Sequence, residues 1–591
     1  MDSIHKKAVK KSLNGYTVKE RRQSPFSRLI HGKQYDTVPD YKIKRSHTYT
    51  RLFRDIDGNE WAELKQYPIL NENMGVVLRE RLKDTRIYPH GNLAMRLIGR
   101  TDVKNPHGIE YAYRDTLAGK NGLVYLQYMA PNFRAKIEND TLKTVQPVNG
   151  ADIVTTIDIE LQDVADRALR QTLKEQNGEW GTTVVMECAT GDILAMANLK
   201  RNGTTCVEEQ NYAIGIPVNP GSTFKLVSTM ALLEHGVPTS QEYNSGLGKT
   251  VRVGGKIGAN VTDSHAISRE TGGVIDMRRA FAESANVYFT KAVFDKFGEK
   301  PVEFSDFCRK LHLHETVGLE ELGARKKPLP HLNNKHHSRY NALVNMAYGY
   351  GLEITPLHTI ALYNAVANNG RMVAPRIILR TERNGKVVNE APVRVIEDKI
   401  CSQRTIDTLR SFMEEVCLTG TAMEYFGEKR CGFRAGAKTG TAQVDTEING
   451  VRYQRGDGYY YGSMVTYLPA DNPRYTIMTA IFTKRQSGKT YYGAGLAGPV
   501  QKKVATFLYN RDSNYAQEIA NERYFASEIK GGNIEKIRKV ASEYGGKFSS
   551  DSRSGWGEYK EREGEKMQIA QRNISEEVVP NVVGMGVDDA L

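Results

Sequence analysis

The sequence predicts an α+β protein in which an antiparallel sheet with flanking helices, over residues 150–510, follows a separate N-terminal domain at 1–147. Two hairpin signals stand near the two ends of the longer stretch, and apolar runs of helical spacing lie between them. Near Gly150 the chain changes from charged sequence with short strand-like runs to sequence dense in helix and hairpin signals, which marks the boundary.

Taken in order, residues 1–147 open on the solvated, Lys-rich Met1–Lys11 and hold one apolar stretch at Val76, Val77 and Leu78. No run is long and apolar enough to span a bilayer, and the start has no signal-peptide pattern. Thr183–Glu187 and Ile193–Ala197 flank an Ala189-Thr-Gly-Asp192 turn and predict the first hairpin. Pro220-Gly221 breaks a loop, and Ser222 then opens an apolar run through Leu226, Val227, Met230, Leu232 and Leu233 that Gly236-Val237-Pro238 stops. A helix is expected there with Ser222 at its N-terminus, and a second over residues 355–369. Tyr460–Leu468, a Pro469-Ala-Asp-Asn-Pro473 turn and Tyr475–Phe482 predict the other hairpin. Residues 511–574 are hydrophilic and rich in Glu and Lys, with Ser549-Ser-Asp-Ser-Arg-Ser554 at their centre, and are expected to be a charged linker.

Composition narrows the function. At 591 residues and 40% hydrophobic content, the chain should hold several domains and at least one large core. Its net charge of +13 is scattered rather than gathered in a tract with interleaved aromatics, which argues against nucleic-acid binding and suits an acidic polymer as partner. Three Trp argue against a lectin-like stacking platform, although 31 Tyr leave room for sugar contacts. Cys188, Cys206, Cys308, Cys401, Cys417 and Cys431 stand far apart with no C-x-x-C, and read as buried hydrophobes rather than a zinc site or a disulfide framework. Neither His312, His314 and Glu315 nor His331, His336 and His337 have tetrahedral-site spacing. Gly248-Lys-Thr250 lacks the first glycine of a phosphate loop, whose place is taken by Tyr243. No metal and no cofactor are expected.

Three short sets carry the chemistry: Ser222-Thr-Phe-Lys225, Ser284-Ala-Asn286 and Lys438-Thr-Gly440. Ser222 at a helix N-terminus has first-turn amides and the helix dipole favouring negative charge, and Lys225 lies one turn on along the same face. A lysine neutralised by burial or by a second cation, for which Lys438 is the obvious candidate, can take the hydroxyl proton and make serine a nucleophile without histidine. Each set also has an ordinary structural explanation. Ser222 fits a helix cap with a solvated Lys225, Ser284 and Asn286 fit the capped start of a helix, and Lys438 fits a charge guarding an edge strand. Order and spacing together favour the catalytic explanation; a lone match such as Ser527-Glu-Ile-Lys530 carries no weight.

With these sets in hand, the chain resembles the penicillin-recognising serine acyltransferases, whose S-x-x-K, S-x-N and K-T-G sets form one mechanistic motif. Leu117–Gly122, Asp152–Asp158 with Leu161-Gln162, Thr190–Ala195, Tyr348-Gly-Tyr-Gly351 with Thr355-Pro-Leu357, and Tyr461–Pro473 are similar to segments of class B penicillin-binding proteins. The likeness runs from about Arg86 to about Val500. The resemblance implies the penicillin-binding-protein transpeptidase fold over 150–510, preceded by a non-catalytic pedestal at 1–147. Val578-Val-Pro-Asn-Val-Val-Gly-Met585 looks like the opening strand of a PASTA domain, so 575–591 is expected to be the start of a truncated one.

The resemblance also implies roles. Ser222 would be the nucleophile acylated by a D-Ala-D-Ala stem peptide, with Lys225 its general base and Ser284 the proton relay to the leaving amine. Asn286 would bind the substrate amide and orient Lys225. Lys438 would supply positive potential, Thr439, Gly440 and Thr441 would bind substrate, and the backbone amides of Ser222 and Thr441 would form an oxyanion hole. The middle set reads Ser-Ala-Asn rather than Ser-Asp-Asn, at a position that varies in the family. The implied function is a division-type peptidoglycan D,D-transpeptidase acylated by β-lactams, at the cytoplasmic membrane with its catalytic domain outside and its anchor missing from this chain. Implied partners are stem peptides, a membrane-embedded glycan polymerase and division proteins, and not nucleic acid. The alternatives are a β-lactam hydrolase or sensor and a catalytically silent division scaffold.

Overall fold

The computed structural model describes residues 88–123, 145–330, 338–427 and 429–520 continuously, together with residue 332 and short elements at 16–20, 35–39, 126–130, 133–136, 528–543, 548–549, 556–560 and 567–571. Two compact units divide the chain, Met1–Pro89 and His90–Leu591. The first contains an antiparallel pair, Tyr16–Glu20 with Tyr35–Pro39. The division falls inside the expected 1–147 domain, so residues 90–147 belong to the larger unit. The apolar stretch at Val76–Leu78, His331, His336, His337 and the expected PASTA start at 575–591 lie outside the described residues.

At the centre of the larger unit is a six-stranded sheet of β1 (Trp180–Glu187), β2 (Ile193–Asn202), β3 (Thr205–Val207), β4 (Gly436–Gln443), β5 (Tyr459–Leu468) and β6 (Tyr475–Lys484). The order is β4-β5-β6-β1-β2-β3, and every pair is antiparallel. Both expected hairpins are present, as β1–β2 and β5–β6. Nearly every residue of β1, β5 and β6 is buried, which requires cover on both faces of the sheet. Helices α1 (Ile159–Glu175) and α7 (Gly493–Ala520) pack together over one face. The other carries α5 (Pro356–Ala367) and α6 (Gln403–Leu418), with α2 (Lys225–Glu234) and α3 (Met277–Ala282) packed against α6 and α4 (Asn286–Phe297) against α2.

Local chemistry explains the helix ends. Asp158 caps α1 by accepting from Glu160 N and Leu161 N, each at 3.1 Å. Buried Gln162 then pins α1 to β2, accepting from Met196 N at 2.7 Å and donating to Met196 O at 3.3 Å. Helix α2 ends where Gly236 takes φ +78°, with Gly236 N on Leu233 O and Val237 N on Leu232 O, both at 3.0 Å. Thr355 and His358 cap α5 reciprocally, with Pro356 at its first turn. Every residue of α5 is buried, so this helix is core on all sides.

The expected linker needs correction. Helix α7 continues to Ala520. Beyond it β7 (Glu528–Asn533), β8 (Phe548–Ser549), β9 (Trp556–Lys560) and β10 (Met567–Gln571) form a sheet of order β7-β9-β10-β8 beside α8 (Ile534–Glu543). Asn533 caps α8 through Glu535 N at 3.0 Å and Lys536 N at 3.3 Å, and Ile534 is fully buried. In sequence Ile534, Ile537, Val540 and Ala541 have helical spacing, a signal that the average Lys and Glu content hides.

One glycine is required by a close approach that positions Ser222. Gly221 N donates to Gly349 O at 3.0 Å, and a Cβ on Gly349 would lie 2.0 Å from Gly221 O at a φ of +85°. Gly349→Ala is expected to destabilise the protein by about 3 kcal/mol, from positive-φ strain together with the backbone clash. Chemical denaturation of the two proteins checks this, and an unchanged midpoint would mean that the two loops move apart freely.

Candidate active site

Ser222 lies in a 3₁₀ turn, Gly221–Phe224, that runs directly into α2. It is therefore one turn earlier than the helix proper, a tightening that brings its hydroxyl back over Lys225. The segment entering this turn is laid against 349–354 by the Gly221 N to Gly349 O bond and a Val218–Ile354 bridge. Tyr363 Oη on α5 donates to Thr223 O at 2.7 Å, and Thr223 Oγ1 donates to Pro220 O at 2.9 Å. The nucleophile candidate is thus held by the core rather than by a loose loop.

Lys225 has no exposed surface. Its ammonium donates to Ser222 Oγ at 3.0 Å, Asn286 Oδ1 at 2.7 Å, Ser284 O at 2.5 Å and Ser284 Oγ at 3.2 Å. Burial pulls its pKa down to about 7, against a smaller opposing pull from the Asp263 carboxylate. Lys438, on β4, is equally buried and donates to Ser284 Oγ at 2.9 Å and Thr439 O at 3.0 Å. Burial, with the neighbouring Lys225 charge second, drives its pKa well below the usual lysine range. Two lysines therefore converge on one hydroxyl. Ser284 occupies the turn between α3 and α4 at φ +60°, a conformation costing a non-glycine residue about 1–3 kcal/mol, and so is held where the chain would not place it alone.

The three ordinary structural explanations are all at odds with these positions. Lys225 is not solvated, and Lys438 guards no edge because its side chain is buried. Helix α4 has Ala285 at its N-cap, without a side-chain cap from Ser284 or Asn286. Its first amides, Asn286 N and Val287 N, donate instead to Asp263 Oδ1, the second at 3.1 Å.

The substrate-binding candidates stand beside the five-residue cluster, and Thr439 is joined to it through the carbonyl that accepts from Lys438 Nζ. Thr439 Oγ1 pairs with Thr421 Oγ1 at 2.6 Å. Thr441 Oγ1 accepts from Gly493 N at 2.8 Å, which leaves its own hydrogen free to donate. Gly440 faces Ser463, Thr223 and Pro220, and a Cβ there would lie 2.6 Å from Ser463 Oγ. Strand β4 is the edge of the sheet. Gln443 N turns away from β5 to donate to Tyr350 Oη at 2.9 Å, and strand alternation carries the Thr441 N–H to the same open side. An extended peptide can add to this edge.

Sequence reasoning missed Asp263, Thr421 and Gly493 as single residues with no local pattern. Tyr350 lay within the noted Tyr348–Gly351 segment, although nothing in that segment told its contact with β4. His312 pairs with Glu315 at 3.0 Å and Glu397 at 3.1 Å, and five of the six cysteines are buried.

A family model described as "Penicillin binding protein transpeptidase domain" matches residues 181–506, more than half of the chain. The chain belongs to this family. The penicillin-binding-protein transpeptidase domain thus spans the sheet from β1 to β6 and all three residue sets. Similar proteins include "Probable peptidoglycan D,D-transpeptidase PenA" of Neisseria meningitidis, 28% identical over 488 residues, covering 79% of this chain and 75% of that protein. "Penicillin-binding protein PbpB" of Mycobacterium tuberculosis is 27% identical over 488 residues, covering 80% and 68% respectively. In fold, the chain is similar to penicillin-binding protein 3 of Mycobacterium tuberculosis, crystallised with aztreonam, at TM-score 0.57 and 24% identity over 73% of this chain and 90% of that one.

Proposed function

We propose that this penicillin-binding protein is a class B, division-type peptidoglycan D,D-transpeptidase working through a serine acyl-enzyme. The observation that carries the mechanism is the buried Lys225 ammonium bonded at once to Ser222, Ser284 and Asn286. Relatives named PenA, PbpB and "Peptidoglycan D,D-transpeptidase FtsI" support the division-type assignment.

In the proposed reaction, neutral Lys225 takes the Ser222 proton as Oγ attacks the carbonyl of the penultimate D-Ala. The backbone amides of Ser222 and Thr441 stabilise the oxyanion. The C–N bond to the terminal D-Ala then breaks, and Ser284 Oγ, fed by the two lysines, delivers the proton to the leaving amine. An amine from a second stem peptide attacks the ester, loses its proton back through the same groups and restores Ser222. Thr439 and Thr441, under the potential of Lys438, bind the substrate carboxylate, while Gly440 lets the strand lie close against Ser463 and the Pro220–Thr223 turn that carries Ser222.

The catalytic domain is assigned to 150–510 and a non-catalytic role to 1–147. Because its substrate lies outside the cytoplasmic membrane, the domain is placed there, membrane-tethered beside a glycan polymerase and division proteins. No helix among the described residues is long and apolar enough to cross a membrane.

The fate of a β-lactam adduct tests the proposal against its rivals. One equivalent of penicillin is expected to add covalently and persist for hours, because the adduct excludes both water and the acceptor amine. Intact-mass spectrometry reads this directly. Rapid return to the unmodified mass would indicate a hydrolase, and no adduct at all would indicate a scaffold.

A further inference from the structure

Asn286 is gripped by a single short loop from a neighbouring hairpin, Val251–Val253 with Ala259–Val261. Thr262 O accepts from Asn286 Nδ2 at 3.0 Å, so Oδ1 is the atom turned to Lys225. Asp263 Oδ1 takes the backbone amides of Asn286 and Val287 at the start of α4. Asp263 is 5% exposed, and its Oδ2 is buried with no hydrogen-bond partner. A buried carboxylate left half unsatisfied is costly unless its charge serves a neighbour. Burial raises the Asp263 pKa, and the charge that most opposes this rise is that of Lys225, with a smaller contribution from His265.

We propose that Asp263 is a positioning residue for acylation: it holds Asn286 in place through the first amides of α4 and sets its negative charge behind Lys225. The inference rests on the acyl-enzyme reading above. The cap fixes the geometry of the acceptor on Lys225. The charge favours the ammonium and opposes the burial that neutralises it, so the carboxylate tunes the pH at which the base becomes competent. His265 Nε2 lies 3.6 Å from Glu283 Oε2, and these two are the other ionisable side chains beside this loop.

Asp263→Asn keeps an oxygen for the cap and removes the charge; Asp263→Ala removes both. With fluorescent penicillin and purified full chain, the second-order acylation rate is measured against pH, and the labelled peptide is mapped. Asp263→Asn is expected to move the acid limb of the profile down by about one pH unit. Asp263→Ala should move the acid limb in the same direction and also lower the high-pH plateau on the order of 10²-fold, through displaced Asn286. Melting temperatures taken alongside separate loss of fold from loss of rate. A profile in Asp263→Asn that matches the parent's, or a His265→Gln variant that alone reproduces the shift, overturns the proposal. Failure of the parent protein to label at Ser222 would instead overturn the acyl-enzyme reading.

Discussion

Ser222→Ala is expected to abolish covalent labelling by penicillin while leaving the fold intact. The hydroxyl is half-buried and its protein hydrogen bond is the one from Lys225, whose ammonium keeps Ser284 O, Ser284 Oγ and Asn286 Oδ1 when Ser222 is shortened. No buried charge is stranded, so stability should change by no more than about 0.5 kcal/mol. Without the oxygen no ester can form, and turnover of a D-Ala-D-Ala peptide should fall by about 10⁶-fold. Gel fluorescence with a labelled penicillin, together with the thermal midpoint, measures both halves. An adduct that survives on another peptide would remove Ser222 from the nucleophile's role.

Replacing Lys225 should be almost as damaging, and its pH dependence reveals the reason. Burial favours the neutral amine and brings the pKa to about 7, so the base is protonated and idle below that pH and competent above it. Acylation of the parent protein should therefore rise as pH passes through about 7 and then level off. Lys225→Ala is expected to lower the acylation rate about 10⁴-fold, and Lys225→Arg should not rescue it, because a guanidinium stays charged and cannot accept the proton. Stopped-flow acylation over a pH series is the measurement. An active Lys225→Arg enzyme, or a parent profile flat across neutrality, would show that another group takes the proton, with Lys438 the next candidate.

The two lysines explain why part of the site was legible in sequence and part was not. Ser222 and Lys225 are three positions apart on one turn, so helical geometry alone predicts their encounter. Ser284 reaches them from 59 residues beyond Lys225 and Lys438 reaches Ser284 from 154 residues further on, distances at which only a recognised family pattern links them. Asp263 belongs to no such pattern. An aspartate between Thr262 and Ser264 reads as solvated loop, and its function as a helix cap exists only once a hairpin is folded against α4.

The linker shows the opposite failure. Helix α8 carried its stripe of apolar residues and its Asn533 cap openly, but charged composition across 511–574 outweighed them. Strands β9 and β10 are short, and a short strand acquires meaning only from the partner beside it.

What this chain determines by itself is local: where turns break, which runs are apolar at helical or strand spacing, and which reactive residues share a turn. The two hairpins, α2, α5 and the Ser222-Lys225 pair follow from that, since each depends on contacts within a few residues. Tertiary structure alone decided the strand order that puts Lys438 on the sheet's edge, the positive φ of Ser284, and the complete burial of both lysines. Those features change the chemistry most, because burial lowers the pKa of an amine towards neutrality, and the walls that bury it come from segments hundreds of residues apart.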